Sequence, residues 1–175
     1  MAISYGRCCV KKRLKTLTPK ELRKALSYDP ITGLFKWLIP RPRAKVGNVA
    51  GGMTSNGYVS IGVRGTSYQA HRLAWLYVYG RWPPKDLDHK NRIRSDNRIV
   101  NLRKATRTQN LGNAILRRNN TTGARGVSWK KKNNKFSAAI RNNSKQIHLG
   151  LFTTLDEAKA AYDKAAHKYF GEYYA

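Results

Sequence analysis

Apolar residues occur along the chain in short bursts, separated by polar stretches rich in glycine and asparagine. Leu22, Ala25 and Leu26 stand at helical spacing behind Thr18-Pro19-Lys20-Glu21, which reads as a capping box with proline at the first helical position. Leu17 and Leu22 flank that box as a hydrophobic staple. The helix is expected to end at Tyr28, because Asp29-Pro30 and Thr32-Gly33 carry turn chemistry. Leu34 to Trp37 predicts a strand. Residues 39–57 hold Pro40, Pro42 and four glycines, and predict a loop. Two runs about Arg64-Gly65, Tyr58–Val63 and Thr66–Ala70, predict a β-hairpin. Leu73, Leu76 and Tyr77, with Trp75 on another side, predict a buried helix stopped by Gly80.

Residues 81–116 are polar and lack periodicity until Asn110-Leu111. A polar linker follows over 117–123. Beyond it three short runs predict strands: Gly126–Lys130, Lys135–Arg141 and Lys145–Gly150, with turns at Asn133-Asn134 and Asn142-Asn143-Ser144. A helix then starts behind Thr154 with Glu157 as the capping partner. Ala158, Ala161, Tyr162, Ala165, Ala166 and Tyr169 line one of its faces, and alanine at that density lets a helix sit close to a sheet. The expected division is 1–69, 70–116, a linker at 117–123, and 124–175. The fold class is α+β, and the two halves are not repeats.

Composition excludes several classes. Hydrophobic residues make up 41% of the 175, enough for small cores, so wholesale disorder is not expected. No apolar run approaches the roughly 18 residues of a membrane span, and the first residues lack the apolar stretch of a secretory signal. Cys8 and Cys9 are adjacent and make neither a disulfide framework nor a zinc site. A reducing intracellular compartment, the cytoplasm, is the expectation.

Charge adds the most. The chain carries 35 Lys+Arg against 9 Asp+Glu, a net +26. A surface that repels itself this strongly usually serves a polyanion. Pro30 to Lys85 and Asn97 to Leu155 contain no acid at all. Between them lies an island of Asp86, Asp88 and Asp96. It reads either as a metal site or as surface charge offsetting the neighbouring arginines.

The central run LDHKNRIRSDNRIVNLRKATRTQN places Asp88-His89 ahead of Asn97, Asn101, Thr106 and Asn110. Phosphodiester hydrolysis explains the use of such a set. A neutral imidazole can take a proton from water. A divalent cation on oxygen ligands neutralises the charge that builds on the phosphate and its leaving oxygen. Asp88 is an anionic oxygen ligand, Asn110 a neutral one, and the Asn101 amide can brace a loop. Consecutive strand residues face opposite ways, so Asp88 and His89 share a site only where a strand end twists or bulges.

Residues 70–110, AHRLAWLYVYGRWPPKDLDHKNRIRSDNRIVNLRKATRTQN, resemble the HNH nucleases of phages and mobile introns. The shared pattern is a His-Arg-Leu helix, Asp-His, Asn-x-x-x-Asn-Leu-Arg, and Thr-x-x-x-Asn. The resemblance implies a ββα-metal finger. Asp88-His89 would end the first strand, Leu102-Arg103 open the second, and a helix start near Thr106. It implies His89 as general base, Asp88 and Asn110 as ligands of Mg²⁺ or Mn²⁺, and Asn101 as the structural middle asparagine. Asn91 stands where relatives often have Asp. Asn110 in place of a third-motif His implies an oxygen-preferring metal rather than zinc. His71 opens the preceding helix, either to touch phosphate or to pack. Arg103 and Arg107 are among the arginines that crowd the motif, some of which would meet DNA phosphates.

Residues 122–172 resemble the plant ethylene-response-factor (Apetala-type) DNA-binding domain. The residues that carry it are Arg125-Gly126-Val127, Trp129, Lys135-Phe136, Ala139-Ile140-Arg141, His148-Leu149-Gly150, Phe152, Ala161-Tyr162-Asp163 and Phe170-Gly171. It implies a three-stranded antiparallel sheet on one helix, with the sheet in the major groove of double-stranded DNA. Arg125, Trp129 and Arg141 are the carried-over contacts, with Lys130 and Lys135 beside them; Trp129 reads equally as a core aromatic. Gln146 and His148 stand where relatives often have Arg and Trp. Charge agrees with that orientation: residues 117–155 hold nine basic residues and no acid, whereas the last helix holds Asp156, Glu157 and Asp163.

The reading is a metal-dependent, site-specific DNA endonuclease of the homing type, phage-encoded, with no membrane partner and no small-molecule cofactor. The alternatives are a DNA-binding regulator with an inactive finger and, on charge alone, a ribosomal-type RNA binder. Target sequence, nicking against double-strand cutting, and oligomeric state are left open.

Overall fold

The computed structural model describes residues 16–116, 119–143 and 145–174. The basic leader with its two cysteines, Arg117-Arg118 of the linker and Ser144 lie outside the described residues.

The first helix, α1, is Pro19–Ala25, and Thr18 and Glu21 form the capping box in both directions. It ends three residues before Tyr28. Leu26–Tyr28 is instead a strand, β1, paired antiparallel with β2, Phe35–Trp37. Strand alternation buries Leu26 and Tyr28 opposite Trp37 and Phe35, whereas a further helical turn would have kept only one of them in the core. The Asp29 carboxylate closes the turn by accepting from Ile31 N and Thr32 Oγ1.

Within the expected loop of 39–57, Gly52–Met53 forms a two-residue strand, β3. It joins β4 (Val59–Val63) and β5 (Thr66–Gln69) in a sheet of order β3-β4-β5. Helix α2, Ala70–Tyr79, follows directly and is capped by Gly80 at φ 67°. Leu17, Leu22, Leu26, Phe35, Ile61, Leu73 and Leu76 belong to one apolar core, which reaches as far as Leu102. Residues on both sides of position 69 therefore share a single interior.

Strand β6 (Asp86–His89) pairs antiparallel with β7 (Leu102–Ala105), Asp88 opposite Arg103 and His89 opposite Leu102. The connection ends in a 3₁₀ turn at Ile99–Asn101. Helix α3, Arg107–Gly112, begins behind a capping box of Thr106 and Gln109.

The last unit holds β8 (Val127–Lys130), β9 (Lys135–Asn142) and β10 (Lys145–Phe152), antiparallel in the order β10-β9-β8. Helix α4, Leu155–Phe170, starts at the Thr154–Glu157 capping box. Its sheet-facing stripe is Ala158, Tyr162, Ala165, Ala166 and Phe170, with Ala161 and Tyr169 only half-buried. A register shift at Leu149 turns both Ile147 and Leu149 toward the helix. Gly126, at φ 68°, lies so close under α4 that a Cβ there would stand 2.2 Å from the Tyr162 ring.

The linker does not leave the two halves apart. Gly112 of α3 meets the Phe170 ring, where a Cβ would come within 2.7 Å. Arg125 donates to the carbonyls of Gly112 and Ala114. Tyr173, in a 3₁₀ turn at Gly171–Tyr173, donates its hydroxyl to Lys104 O at 2.7 Å. Among the described residues no helix is long and apolar enough to cross a membrane.

Candidate active site and nucleic-acid interface

A cavity of about 240 Å³ opens where β6, α3 and the β4 hairpin meet, lined among others by Tyr58, Asp88, His89, Arg107, Asn110 and Asn113. Asp88 and His89 both reach it because His89 is the last residue of its strand. The chain turns at once: Arg92 N donates to His89 O at 2.9 Å, and Arg92 takes φ 63°.

Asp88 is 8% exposed. Its Oδ2 accepts from Arg103 Nε at 2.8 Å, and Asn113 Nδ2 reaches both carboxylate oxygens at 3.0 and 3.1 Å. The same Asn113 amide donates to His89 O at 2.8 Å, and its Oδ1 accepts from Arg92 Nε at 3.1 Å. Asn113 thus ties together the two residues of the Asp-His pair and the turn behind them. The sequence reading missed it. Its signal was position: Asn113 follows Asn110 by three, on the same face of a short helix.

His89 is 5% exposed and its Nε2 is buried with no hydrogen-bond partner. Burial pushes its pKa below the ordinary imidazole value, while the Asn97 side chain and the charges of Asp88 and Asp96 pull the other way. The ring is therefore neutral near pH 7. His71 packs edge-on against it, ring centroids 5.1 Å apart, and Tyr58 stands 6.0 Å away. His71 is itself buried, and desolvation, followed by the charges of His89 and Arg72, pushes its pKa down to about 3. It packs as a neutral wall.

Asn110 Oδ1 is also buried and unpartnered. A buried carbonyl oxygen without a partner costs free energy, and Asn110 is among the residues that line the cavity. With the Asp88 carboxylate in the same cavity, this is a donor set of one anionic and one neutral oxygen, which suits a hard divalent cation. Among the described residues no group of three or more His, Cys, Asp or Glu side chains gathers to hold a metal. The acidic island does not converge. Asp86 is exposed, and Asp96 is consumed by Arg98, which holds both its oxygens at 2.9 and 2.6 Å and lowers its pKa to about 2.

Asn101 is buried beneath the β6–β7 connection. Its Nδ2 donates to Asn91 Oδ1 at 3.0 Å and Asp96 O at 2.9 Å, and its Oδ1 accepts from Asn91 N at 3.0 Å. It closes the loop and makes no contact with the cavity. Asn91 completes that frame by donating to Asp96 Oδ2 at 2.7 Å.

The sequence-predicted DNA contacts fall into two groups. Register puts Lys130 opposite Lys135, and Arg141 opposite Gln146, all on the sheet face away from α4. Arg107 lines both the cavity and the adjoining groove that ends at Arg141. Arg107 and Arg141 share that groove, while Lys130 and Lys135 stand on the open face of the sheet. The other three stand elsewhere. Trp129 is opposite Phe136, so it lies on the helix-bearing side, where it packs edge-on with that ring at 4.7 Å while staying 42% exposed. Arg125 is taken up by the carbonyls at the end of α3, and Arg103 by Asp88.

No curated protein and no solved structure matches the chain. A family model of the HNH endonucleases matches residues 68–111, from β5 through α3. That stretch holds Asp88, His89, Asn101, Arg103, Arg107 and Asn110 and stops short of Asn113 and the C-terminal unit. The match supports an HNH nuclease, a hydrolase that cuts phosphodiester bonds in DNA.

Proposed function

We propose that the chain is a metal-dependent, site-specific DNA endonuclease of the homing type, in which β6, β7 and α3 form the ββα-metal finger and the C-terminal sheet places the cut. The observation that carries this reading is the convergence on one cavity of Asp88, the neutral imidazole of His89, and Asn110, whose buried Oδ1 has no partner. Asp88 and Asn110 would hold Mg²⁺ or Mn²⁺. When bound, the cation neutralises the phosphate and its leaving oxygen.

The chain's own residues supply the rest. The His89 imidazole takes a proton from the attacking water as the new P–O bond forms and one ester P–O bond breaks. The His71 and Tyr58 rings hold the imidazole and keep bulk water from its far side. Asn113 fixes the His89 carbonyl and the Asp88 carboxylate beside it. Arg92, Arg94 and Arg107 border the cavity and meet phosphates. The C-terminal three-stranded sheet offers Lys130, Lys135 and Arg141 to the duplex, in keeping with its resemblance to Apetala-type domains. Its acidic helix points away from DNA.

A second reading, a DNA-binding regulator with a silent finger, rests on the Asp88–Arg103 ion pair. It predicts duplex binding without cutting. Incubation with plasmid and genomic DNA, followed by end mapping, separates the two. Cleavage in Mg²⁺ or Mn²⁺ that stops with chelator and returns with added metal is the expected result. Full cutting in excess chelator would overturn the metal-dependent reading.

A further inference from the structure

Arg103 occupies a position that cleavage alone does not explain. Its Nε donates to Asp88 Oδ2 at 2.8 Å, and both side chains are largely buried. Its Nη1 donates to Glu172 O at 3.0 Å, and its guanidinium lies over the Tyr173 ring at 4.0 Å. Tyr173 is anchored in turn to Lys104 O. One side chain thus joins the carboxylate of the nuclease cavity to the last turn of the recognition unit.

The electrostatics give this contact a consequence. A guanidinium on Asp88 already neutralises the carboxylate, and a divalent cation on the same group would sit within a few ångströms of a fixed positive charge. Two such charges repel strongly where water is scarce. A DNA phosphate offers the guanidinium an alternative bidentate partner that the free protein lacks. Arg103 stands on β7, the strand that leads into the Thr106 cap and the cavity-lining Arg107 and Asn110 of α3.

We propose that Arg103 is a gate on the metal site. In the free protein it holds Asp88, steadied by the Gly171–Tyr173 turn. Duplex draws it onto phosphate and leaves Asp88 to the cation. Metal and DNA then bind with positive coupling, and each strengthens the other by the same factor. The gate keeps the free nuclease poorly loaded with metal and loads it on DNA. This rests on the assignment of Asp88 as a ligand.

The test measures Mn²⁺ affinity by the loss of the free-ion spin resonance signal, with and without a mixed-sequence duplex. His89→Ala is present throughout to prevent cutting. The full chain should bind Mn²⁺ weakly alone and about 5- to 150-fold more tightly with duplex, the usual span of coupling between sites. Arg103→Ala should bind Mn²⁺ tightly without duplex, and the gain on adding duplex should shrink toward none. Tyr173→Leu keeps the guanidinium but loosens its seat, and should fall between. Thermal melts confirm that each variant folds. Unchanged or weaker Mn²⁺ binding in Arg103→Ala and Tyr173→Leu would show that Arg103 orients Asp88 for the metal, and would overturn the gate. If Mn²⁺ fails to bind any form, with or without duplex, the metal assignment falls and the gate falls with it.

Discussion

In the C-terminal unit, α4 lays Ala158, Tyr162, Ala166 and Phe170 on a three-stranded sheet, and the polar side chains stand on the far face. In the segment from Asp88 to Asn113 the roles are reversed. Its interior is made of amides and charges: Asn101 on Asn91 and Asp96, Asn113 on Asp88 and His89, Arg103 on Asp88. Apolar packing is non-directional and tolerates a solvated polar face, which suits the DNA-reading role proposed for this sheet. Hydrogen bonds are directional, and a network of them fixes polar atoms within a fraction of an ångström, which suits a reaction. The difference also shows in what is left over. Among the described residues, the sheet unit has no buried side-chain donor or acceptor without a partner, whereas the segment from Asp88 to Asn113 leaves His89 Nε2, Asn97 Oδ1 and Asn110 Oδ1 unpaired.

Three substitutions test this contrast, beginning with the largest effect. Gly126→Ala places a Cβ against the Tyr162 ring at a left-handed backbone position. It should cost about 2–5 kcal/mol of unfolding free energy through strain and overpacking. Urea melts of the C-terminal unit followed by amide exchange over residues 127–170 would show it; an unchanged midpoint would mean that α4 does not sit this close. Asn101→Ala removes the loop brace and leaves the Asn91 and Asp96 backbone groups without it. A loss of about 1–3 kcal/mol is expected, together with faster amide exchange over residues 90–101. Exchange confined to wild-type rates would show that the loop is ordered by other means. Arg141→Ala should weaken duplex binding by about 1–3 kcal/mol at a preferred site if it reads a base. If it meets only phosphate, the loss is equal on every sequence.

The acid response separates the halves by chemistry rather than by variant. His71 is held to about pKa 3 against 6.5 for a free imidazole, so the unfolded chain binds a proton that the folded one refuses between those values. Stability is unaffected above pH 6.5 and falls as pH drops below it, by about 1.4 kcal/mol per unit for this group alone. Urea midpoints at pH 7 and pH 5 should differ accordingly. His71→Phe, which keeps a ring and removes the titration, should flatten the slope; a slope that survives would place the sensitivity elsewhere.

Much of this architecture was legible in the residues. Capping boxes marked two helix starts, behind Thr18 and Thr154, and Gly80 marked an end. The strand pairs of the C-terminal sheet followed from alternation and asparagine turns. The end of α1 was misread because Leu26 and Tyr28 fit a helix stripe and a strand equally well, and only pairing with Phe35–Trp37 decides between them. The site was legible as a set of residue types at given spacings. What spacing does not encode is competition for partners. Arg125 and Arg103 read as free cations in a basic chain, yet carbonyls and a carboxylate brought close by the fold claim them. Trp129 was one residue out of register with the open face, a difference that only strand pairing reveals. Asn113 lies outside the recognised motif, and its role exists only once α3 packs beside β6.

The central claim is that His89 is the base of a phosphodiester hydrolysis. Single-turnover cleavage by His89→Ala, at duplex concentrations that saturate the protein and in excess Mg²⁺, tests it most directly. The account predicts duplex affinity equal to that of the unaltered chain and a cleavage rate lower by about 10²–10⁴-fold. Cleavage at a near-normal rate would contradict it.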